Sequence, residues 1–342
     1  MKRAPLSANP FSLDLAALFN QLVSGRLNGC HVSKLRQDSA AGASDAPHIC
    51  VVRMARTLTA CPCRWYRPTS PLNRTSMPRI SIGDCSLYYE RHGMGFPVLF
   101  VSGLGGFASF WEDQVATFAQ RFEVVIFDHR GFGQSDPSRI GYTVERMAVD
   151  VVGLMDALGI KRGHVVGHST GGAIAQTMAI EYPSRLAGVV LSATWAKTDA
   201  YFRRLFALRK EVLQRLGASI YVQASTLFLY PSWWIARNNE RLRQTEAQNL
   251  AAFAPVEIVS ARIDAMLAFD RTRELSRIKS PTLVIGAEDD IVTPAYFSEE
   301  LARLIPGAEV KIFPRGGHYF NQVRAREFNN AVLPFLVSHT PA

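Results

Sequence analysis

The chain has 342 residues, 48% hydrophobic and 20% charged, a globular balance long enough for one large domain with an insertion. Its net charge of +9 is uneven: residues 1–76 hold ten basic side chains against three acidic ones, which leaves only +2 for the rest. A body so close to neutral excludes a basic face for nucleic acid, and no stretch reaches the roughly 18 uninterrupted apolar residues of a membrane span.

Residues 1–76 show no sustained period of 3.6 or 2 beyond a short apolar run near Leu13 to Leu22. They are expected to be a disordered extension or an over-long start assignment, with Met77 as the natural first residue. A targeting segment, Arg-rich and acid-poor, is the alternative. Cys30, Cys50, Cys61 and Cys63 fall in this stretch, and Cys85 stands alone in the remainder. One cysteine makes no disulfide framework and points to a reducing, cytoplasmic setting. Cys61-Pro62-Cys63 lacks zinc-site spacing and a second pair, so no metal is expected.

From Met77 the pattern becomes regular. Ile80–Ile82 and Leu87–Glu90 read as short strands about a Gly83-Asp84 turn. Pro97–Ser102 is a continuous apolar strand, Ser109–Gln120 a helix, and Phe122–Phe127 another buried strand. Thr143 is placed to cap a helix running to about Leu158. His164–Gly167 is a strand, Thr170–Glu181 a helix, and Leu186–Ser192, Thr282–Ile285 and Val310–Phe313 are further strands. Ala325–Val337 closes with a helix. This alternation predicts an α/β fold: a mostly parallel sheet with helices on both faces. The core is expected at 77–196 and 274–342. The aromatic-rich interval 197–273 reads as a helical cap over the carboxyl ends of the strands, where such sheets bind ligands.

Gly167-His168-Ser169-Thr170-Gly171 fits G-x-S-x-G between a strand and a helix. That context puts Ser169 on a tight turn that lifts its hydroxyl out of the sheet. A serine hydroxyl needs a base to take its proton. Of eight histidines, His318 is the candidate, because it follows Gly316-Gly317 after the last strand. His129 and His168 are expected to be structural hydrogen bonders, His168 pointing away from Ser169. The loop Gly286–Pro294 supplies the acid that orients the base; Asp290 is favoured, with Asp289 as the competitor and the unused acid a solvated loop carboxylate. Backbone N–H groups of Leu104 and Thr170 would form the oxyanion hole, with Gly103 allowing close approach of the main chain. Gly103, Trp195, Arg209 and Tyr319 are the substrate-binding candidates.

If Tyr201–Leu216 is one helix, Phe202, Leu205, Phe206, Leu208, Val212, Leu213 and Leu216 share a face, and Arg209 falls within it. Arg209 then either faces the cleft, pairing with a substrate carboxylate, or packs its stem and snorkels outward.

Together Ser102-Gly103-Leu104-Gly105-Gly106, Asp128–Asp136, Gly167–Gly172 and Gly316-Gly317-His318 resemble the α/β-hydrolase superfamily across 78–340. Within it the chain resembles 3-oxoadipate enol-lactonases and the aminoacrylate hydrolases of pyrimidine breakdown. The cap stretches Trp195–Leu216 and Leu227–Pro231 are most similar to the latter. Two departures stand out: some aminoacrylate-hydrolase relatives lack the serine present here, and most members have His where this chain has Ser102. The resemblance implies an eight-stranded α/β-hydrolase fold with a Ser-Asp-His triad. The implied activity is metal-free, cofactor-free hydrolysis of a small ester, lactone or amide-like bond. Carbon–carbon bond hydrolysis or perhydrolysis on the same triad, and a ligand receptor with vestigial turnover, remain the competing readings. A homo-oligomer is an open option.

Overall fold

Runs of apolar residues bounded by turns form eight strands: β1 (Arg79–Ser81), β2 (Ser86–His92), β3 (Phe96–Val101), β4 (Phe122–Phe127), β5 (Gly163–His168), β6 (Leu186–Ser192), β7 (Thr282–Ala287) and β8 (Glu309–Phe313). The computed structural model of the protein describes residues 78–137 and 141–341, so the expectations for residues 1–76 and for Met77 as a start lie outside it. The strands join one sheet in the order β1-β2-β4-β3-β5-β6-β7-β8. β2 runs antiparallel to β1 and β4, and every later pairing is parallel. β5, β6 and β7 are buried along their whole length, which explains why they carry no polar alternation.

The period-2 alternation of side chains splits the core between the two faces. Leu99, Val101, Val125, Phe127, Val165, Val189 and Val284 point into one cluster. Val98, Phe100, Val124, Ile126, Val166, Val190 and Leu283 point into the other. Register pairs Val101 with Gly167, Gly167 with Leu191, Ser192 with Ile285, and Ala287 with Phe313. The carboxyl ends of β3, β5, β6, β7 and β8 therefore open onto a single rim.

Helices cover both faces: α1 (Glu112–Phe118), α2 (Val144–Ala157), α3 (Thr170–Glu181), then, beyond the cap, α7 (Ala295–Leu304), α8 (Phe320–Val323) and α9 (Ala325–Ser338). Thr143 caps α2, its hydroxyl accepting from Arg146 N at 3.0 Å. The helix expected over 109–120 is divided. A 3-10 turn, Ala108–Trp111, precedes α1, and Trp111 leaves helical geometry at ψ 8° while its ring packs fully buried against Phe100.

The insertion is tied at its neck by an isolated antiparallel bridge between Lys197 and Asp270, and by Arg271 N donating to Ala196 O. Between them lie α4 (Ala200–Leu229), α5 (Ser232–Ala251) and α6 (Val256–Ala268). Asp199 caps α4 by accepting from Phe202 N at 2.8 Å. The helix expected to end near Leu216 continues to Leu229 across a break at Gly217, where φ is 80° and ψ 176°. Its buried stripe is also narrower than the sequence suggested. Phe202, Leu205, Phe206, Arg209 and Leu213 are buried, but Leu208 and Leu216 are 54% and 60% exposed.

Candidate active site

Ser169 sits between β5 and α3 at φ 55°, ψ −119°, a left-handed conformation shared among non-glycine described residues only by Ala193. Such strain persists only where surroundings enforce it. Here Ser169 N donates to Ser192 O at 2.8 Å. The flanking glycines are a packing necessity: a Cβ on Gly167 would collide with Gly171 O, and one on Gly171 with Val101 O. The turn thus presses α3 onto the sheet and pushes the Ser169 side chain into the cleft above the rim.

His318 enters the same cleft from the loop after β8. Gly316 and Gly317 adopt φ 151° and 64°, and both donate their N–H groups to Asp289 Oδ1 at 2.8 Å. Asp289 is therefore not the solvated carboxylate expected of the unused acid; it shapes the turn that delivers His318. Asp290 is the acid that reaches the imidazole, accepting from His318 Nδ1 at 2.8 Å. Its other contacts come from Val292 N at 2.7 Å, Thr293 N at 3.0 Å and the Thr293 hydroxyl at 2.7 Å. Both partners are almost fully buried. Four donors hold the carboxylate, so a proton on Nδ1 is directed to it and Nε2 is left as the basic nitrogen. Among the described residues no hydrogen bond joins Ser169 Oγ to His318; in hydrolytic sites such bonds commonly tighten only around substrate.

Gly103 and Leu104 form the facing wall of the cleft. A Cβ on Gly103 would lie 3.1 Å from Ser169 Cβ, so a larger residue would have to push this strand end a few tenths of an ångström away from the serine. Neither Leu104 N–H nor Thr170 N–H donates to an acceptor among the described residues. The carbonyl of Gly103 accepts from Gly106 N at 3.1 Å within the loop and from Arg262 Nη2 at 3.2 Å, the latter a contact with no sequence signal.

His129 lies buried against Phe127, with ring centroids 4.9 Å apart. His168 departs from expectation. It hydrogen-bonds Ser192 Oγ at 3.0 Å, yet it also lines the cleft, with its ring 5.0 Å from that of His318. Burial, and then the neighbouring His318, push its pKa well below the ordinary histidine value. A neutral imidazole therefore stands beside His318. Trp195 is not brought to the site. It is fully buried against Phe202, with ring centroids 4.5 Å apart, and lies outside the cleft. The chain leaving β6 folds that indole into the core beneath the cap.

The roof comes from α4. Arg209 is 6% exposed and does not snorkel outward. Its Nη2 donates to Tyr221 OH and Ser225 Oγ, both at 3.2 Å, and its guanidinium lies 4.9 Å from the Phe206 ring centre. No carboxylate pairs with it among the described residues, and its Nε has no partner there. Tyr319 lies between the two regions, its ring 5.8 Å from that of His318. Burial raises the Tyr319 phenol to about 12, with the Arg209 charge opposing, so it stays protonated at neutral pH. Tyr221, Ser225, Arg262 and Thr293 escaped the sequence reading because no local motif marks them.

A parallel sheet carrying a strained serine after β5, an acid after β7 and a histidine after β8 defines a hydrolase of the α/β class. Residues 97–324 match the family model described as alpha/beta hydrolase fold, and the chain belongs to that family. It is 39% identical over 259 residues to a protein of Azorhizobium caulinodans provisionally named carbamate hydrolase RutD, spanning 76% of this chain and 98% of the relative. Its counterpart in Caulobacter vibrioides is 41% identical over 268 residues, covering 76% and 99%. Among solved structures, the enol-lactonase from Burkholderia xenovorans LB400 superimposes with a TM-score of 0.71 at 27% identity, covering 76% of this chain and all of that one. No helix among the described residues is long and apolar enough to cross a membrane.

Proposed function

We propose that this protein is a serine hydrolase that cleaves a small, carboxylate-bearing ester, lactone or carbamate-like substrate through an acyl-enzyme on Ser169. The observation that carries this reading is Ser169 at φ 55° lining one cleft with His318, whose Nδ1 is 2.8 Å from buried Asp290. In this scheme His318 Nε2 takes the Ser169 proton as Oγ attacks the carbonyl carbon, and Asp290 stabilises the imidazolium. The developing oxyanion is received by the Leu104 and Thr170 N–H groups. His318 then protonates the leaving oxygen or nitrogen. Water, deprotonated by the same imidazole, releases the acid and restores Ser169.

The names of the relatives point to C–O and C–N bonds next to a carbonyl. The cleft adds a preference of its own. Arg209 is a buried cation with no carboxylate partner among the described residues, so a substrate carboxylate would supply the missing charge. Cys85, the lone cysteine after residue 76, is buried and forms no disulfide among the described residues, which suits a reducing compartment such as the cytoplasm.

A fluorophosphonate probe tests the mechanism. The wild type is expected to take one label at Ser169, and Ser169→Ala none. Wild type that stays unlabelled, while hydrolysing nothing among p-nitrophenyl esters, small lactones and carbamates, would sink the proposal.

A further inference from the structure

Arg262 lies on α6 of the cap and is fully buried. Its hydrogen bond runs from Nη2 to the carbonyl of Gly103 at 3.2 Å, while Nε and Nη1 have no partner among the described residues. Its guanidinium stands 4.8 Å from the Phe132 ring centre. The imidazole of His129 is kept neutral by burial first and by the Arg262 charge second, so it adds no second positive charge beside the guanidinium. Burial lowers the Arg262 pKa to about 10, against weaker raising effects of Tyr142 and Asp150, and it remains a cation at neutral pH. A buried, uncompensated charge is costly, and a neutral side chain would fill the same space at less expense. Holding the loop in place does not by itself account for an arginine here.

The chemistry of the peptide it touches does. The Gly103 carbonyl and the Leu104 N–H belong to one amide, and no described peptide bond is cis. In a planar trans amide the N–H points away from the C=O. Arg262 thus grips the oxygen, which also accepts from Gly106 N at 3.1 Å, and the N–H at the opposite edge of the same amide is the Leu104 donor proposed above for the oxyanion. A cation on the oxygen draws electron density through the amide and makes the N–H a stronger donor. The geometry points to Arg262 as a positioning residue that charges the Gly103–Leu104 peptide, so that Leu104 N–H stabilises the oxyanion formed when Ser169 attacks. This role presupposes the serine mechanism proposed for Ser169. It also makes the cap part of the transition-state machinery rather than a substrate wall alone.

The test uses the full chain as wild type and as Arg262→Met, Arg262→Gln and Arg262→Lys, each checked for folding by thermal melting. With p-nitrophenyl acetate, Arg262→Met is expected to lose roughly tenfold to hundredfold in kcat, less than the ~10²–10³ lost when a donor is removed outright. KM should stay close to the wild-type value, and affinity for an aryl boronic acid, which forms a tetrahedral adduct on the serine, should fall in step with kcat. Arg262→Gln keeps a donor without charge and should recover part of the loss; Arg262→Lys keeps the charge and should recover more. In chain labelled with ¹³C-glycine and ¹⁵N-leucine, the Leu104 amide signal should move on substitution while the helical Gly153–Leu154 signal does not. A folded Arg262→Met with unchanged kcat, a loss confined to KM, or an unmoved Leu104 signal overturns the inference. If Arg262→Met unfolds, the Lys and Gln variants carry the same comparison. Fluorophosphonate labelling separates the two failures. An unlabelled, inactive wild type overturns the serine mechanism and this role with it. A labelled wild type whose kcat ignores Arg262 overturns this role alone.

Discussion

The rim of the sheet and the cap place polar groups in the same cleft by opposite means. At the rim, Ser169, Asp290 and His318 stand within a few residues of strand ends, held by main-chain donors and by glycines that admit no substitute. In the cap, Arg209 and Arg262 ride on helices and are buried without carboxylate partners among the described residues. At the rim Asp290 and His318 satisfy each other and Ser169 is fixed through its backbone; the cap arginines are left with charge that no carboxylate meets among the described residues. A region that satisfies itself can be rigid before substrate arrives, whereas one with unspent charge is completed by what it binds or polarises. Chemistry is thus expected to fail when the rim is altered, selectivity when Arg209 of the cap is altered, and turnover to a lesser degree when Arg262 is altered.

The largest effect should come from the rim. Ser169→Ala is expected to lower kcat on the order of a millionfold with substrate affinity retained, measured by single-turnover kinetics and equilibrium binding of a substrate analogue. Asp290→Asn should cost about 10⁴ in kcat by favouring the wrong tautomer of His318. Asp289→Asn should cost far less, because Asp289 acts only on the turn. Equal losses in the two variants would erase the distinction between acid and turn residue.

Arg209 of the cap should respond in selectivity. Arg209→Met is expected to reduce kcat/KM for carboxylate-bearing esters by roughly tenfold to hundredfold, the loss of about 1.5–3 kcal/mol of charged hydrogen bonding. Matched neutral esters should change little. An unaltered ratio between the two substrate sets would remove Arg209 from substrate recognition.

The smallest effect concerns stability rather than turnover. His164 packs against Phe96 and Phe122, and burial lowers its pKa to about 4. Burial holds His129 and His168 low as well. Between about pH 6.5 and 4 the unfolded chain therefore binds more protons than the folded one, so stability is complete above that window and falls as pH drops through it. For a single such histidine the loss from pH 7 to pH 5 is on the order of 2 kcal/mol. Urea midpoints at the two pH values check this, and His164→Gln should shrink the difference by about one histidine's share, leaving that of His129 and His168. A sheet equally stable at both would show that these imidazoles titrate freely.

Legibility followed the same division. The boundaries of β4, β6 and α3 coincide with the apolar runs and turn signals of the sequence. Ser169 is marked by glycines on both sides of its turn and His318 by the Gly316-Gly317 pair before it, which are local constraints. Pro294, four residues on, favours Asp290 over Asp289 as the acid, but nothing local shows what Asp289 does; backbone donors from Gly316 and Gly317 claim it. Helical spacing put Leu208 and Leu216 on the buried face, yet they are exposed, because the cap contacts its neighbours along a narrower line. Trp195 looked like a cleft residue by its place in the chain, and core packing took it away.

Sequence alone determined the alternating α/β architecture, the strained serine turn and the chain order of serine, acid and histidine. Each follows from short-range rules: side-chain period, glycine geometry, and loops that leave strands at one end. Tertiary structure decided that Asp289 shapes the turn before His318, that His168 stands in the cleft, and that two cap arginines lie buried. Those outcomes depend on which groups compete for each donor and how much water is excluded around each charge, and both are properties of the folded surroundings rather than of any residue's neighbours in the chain.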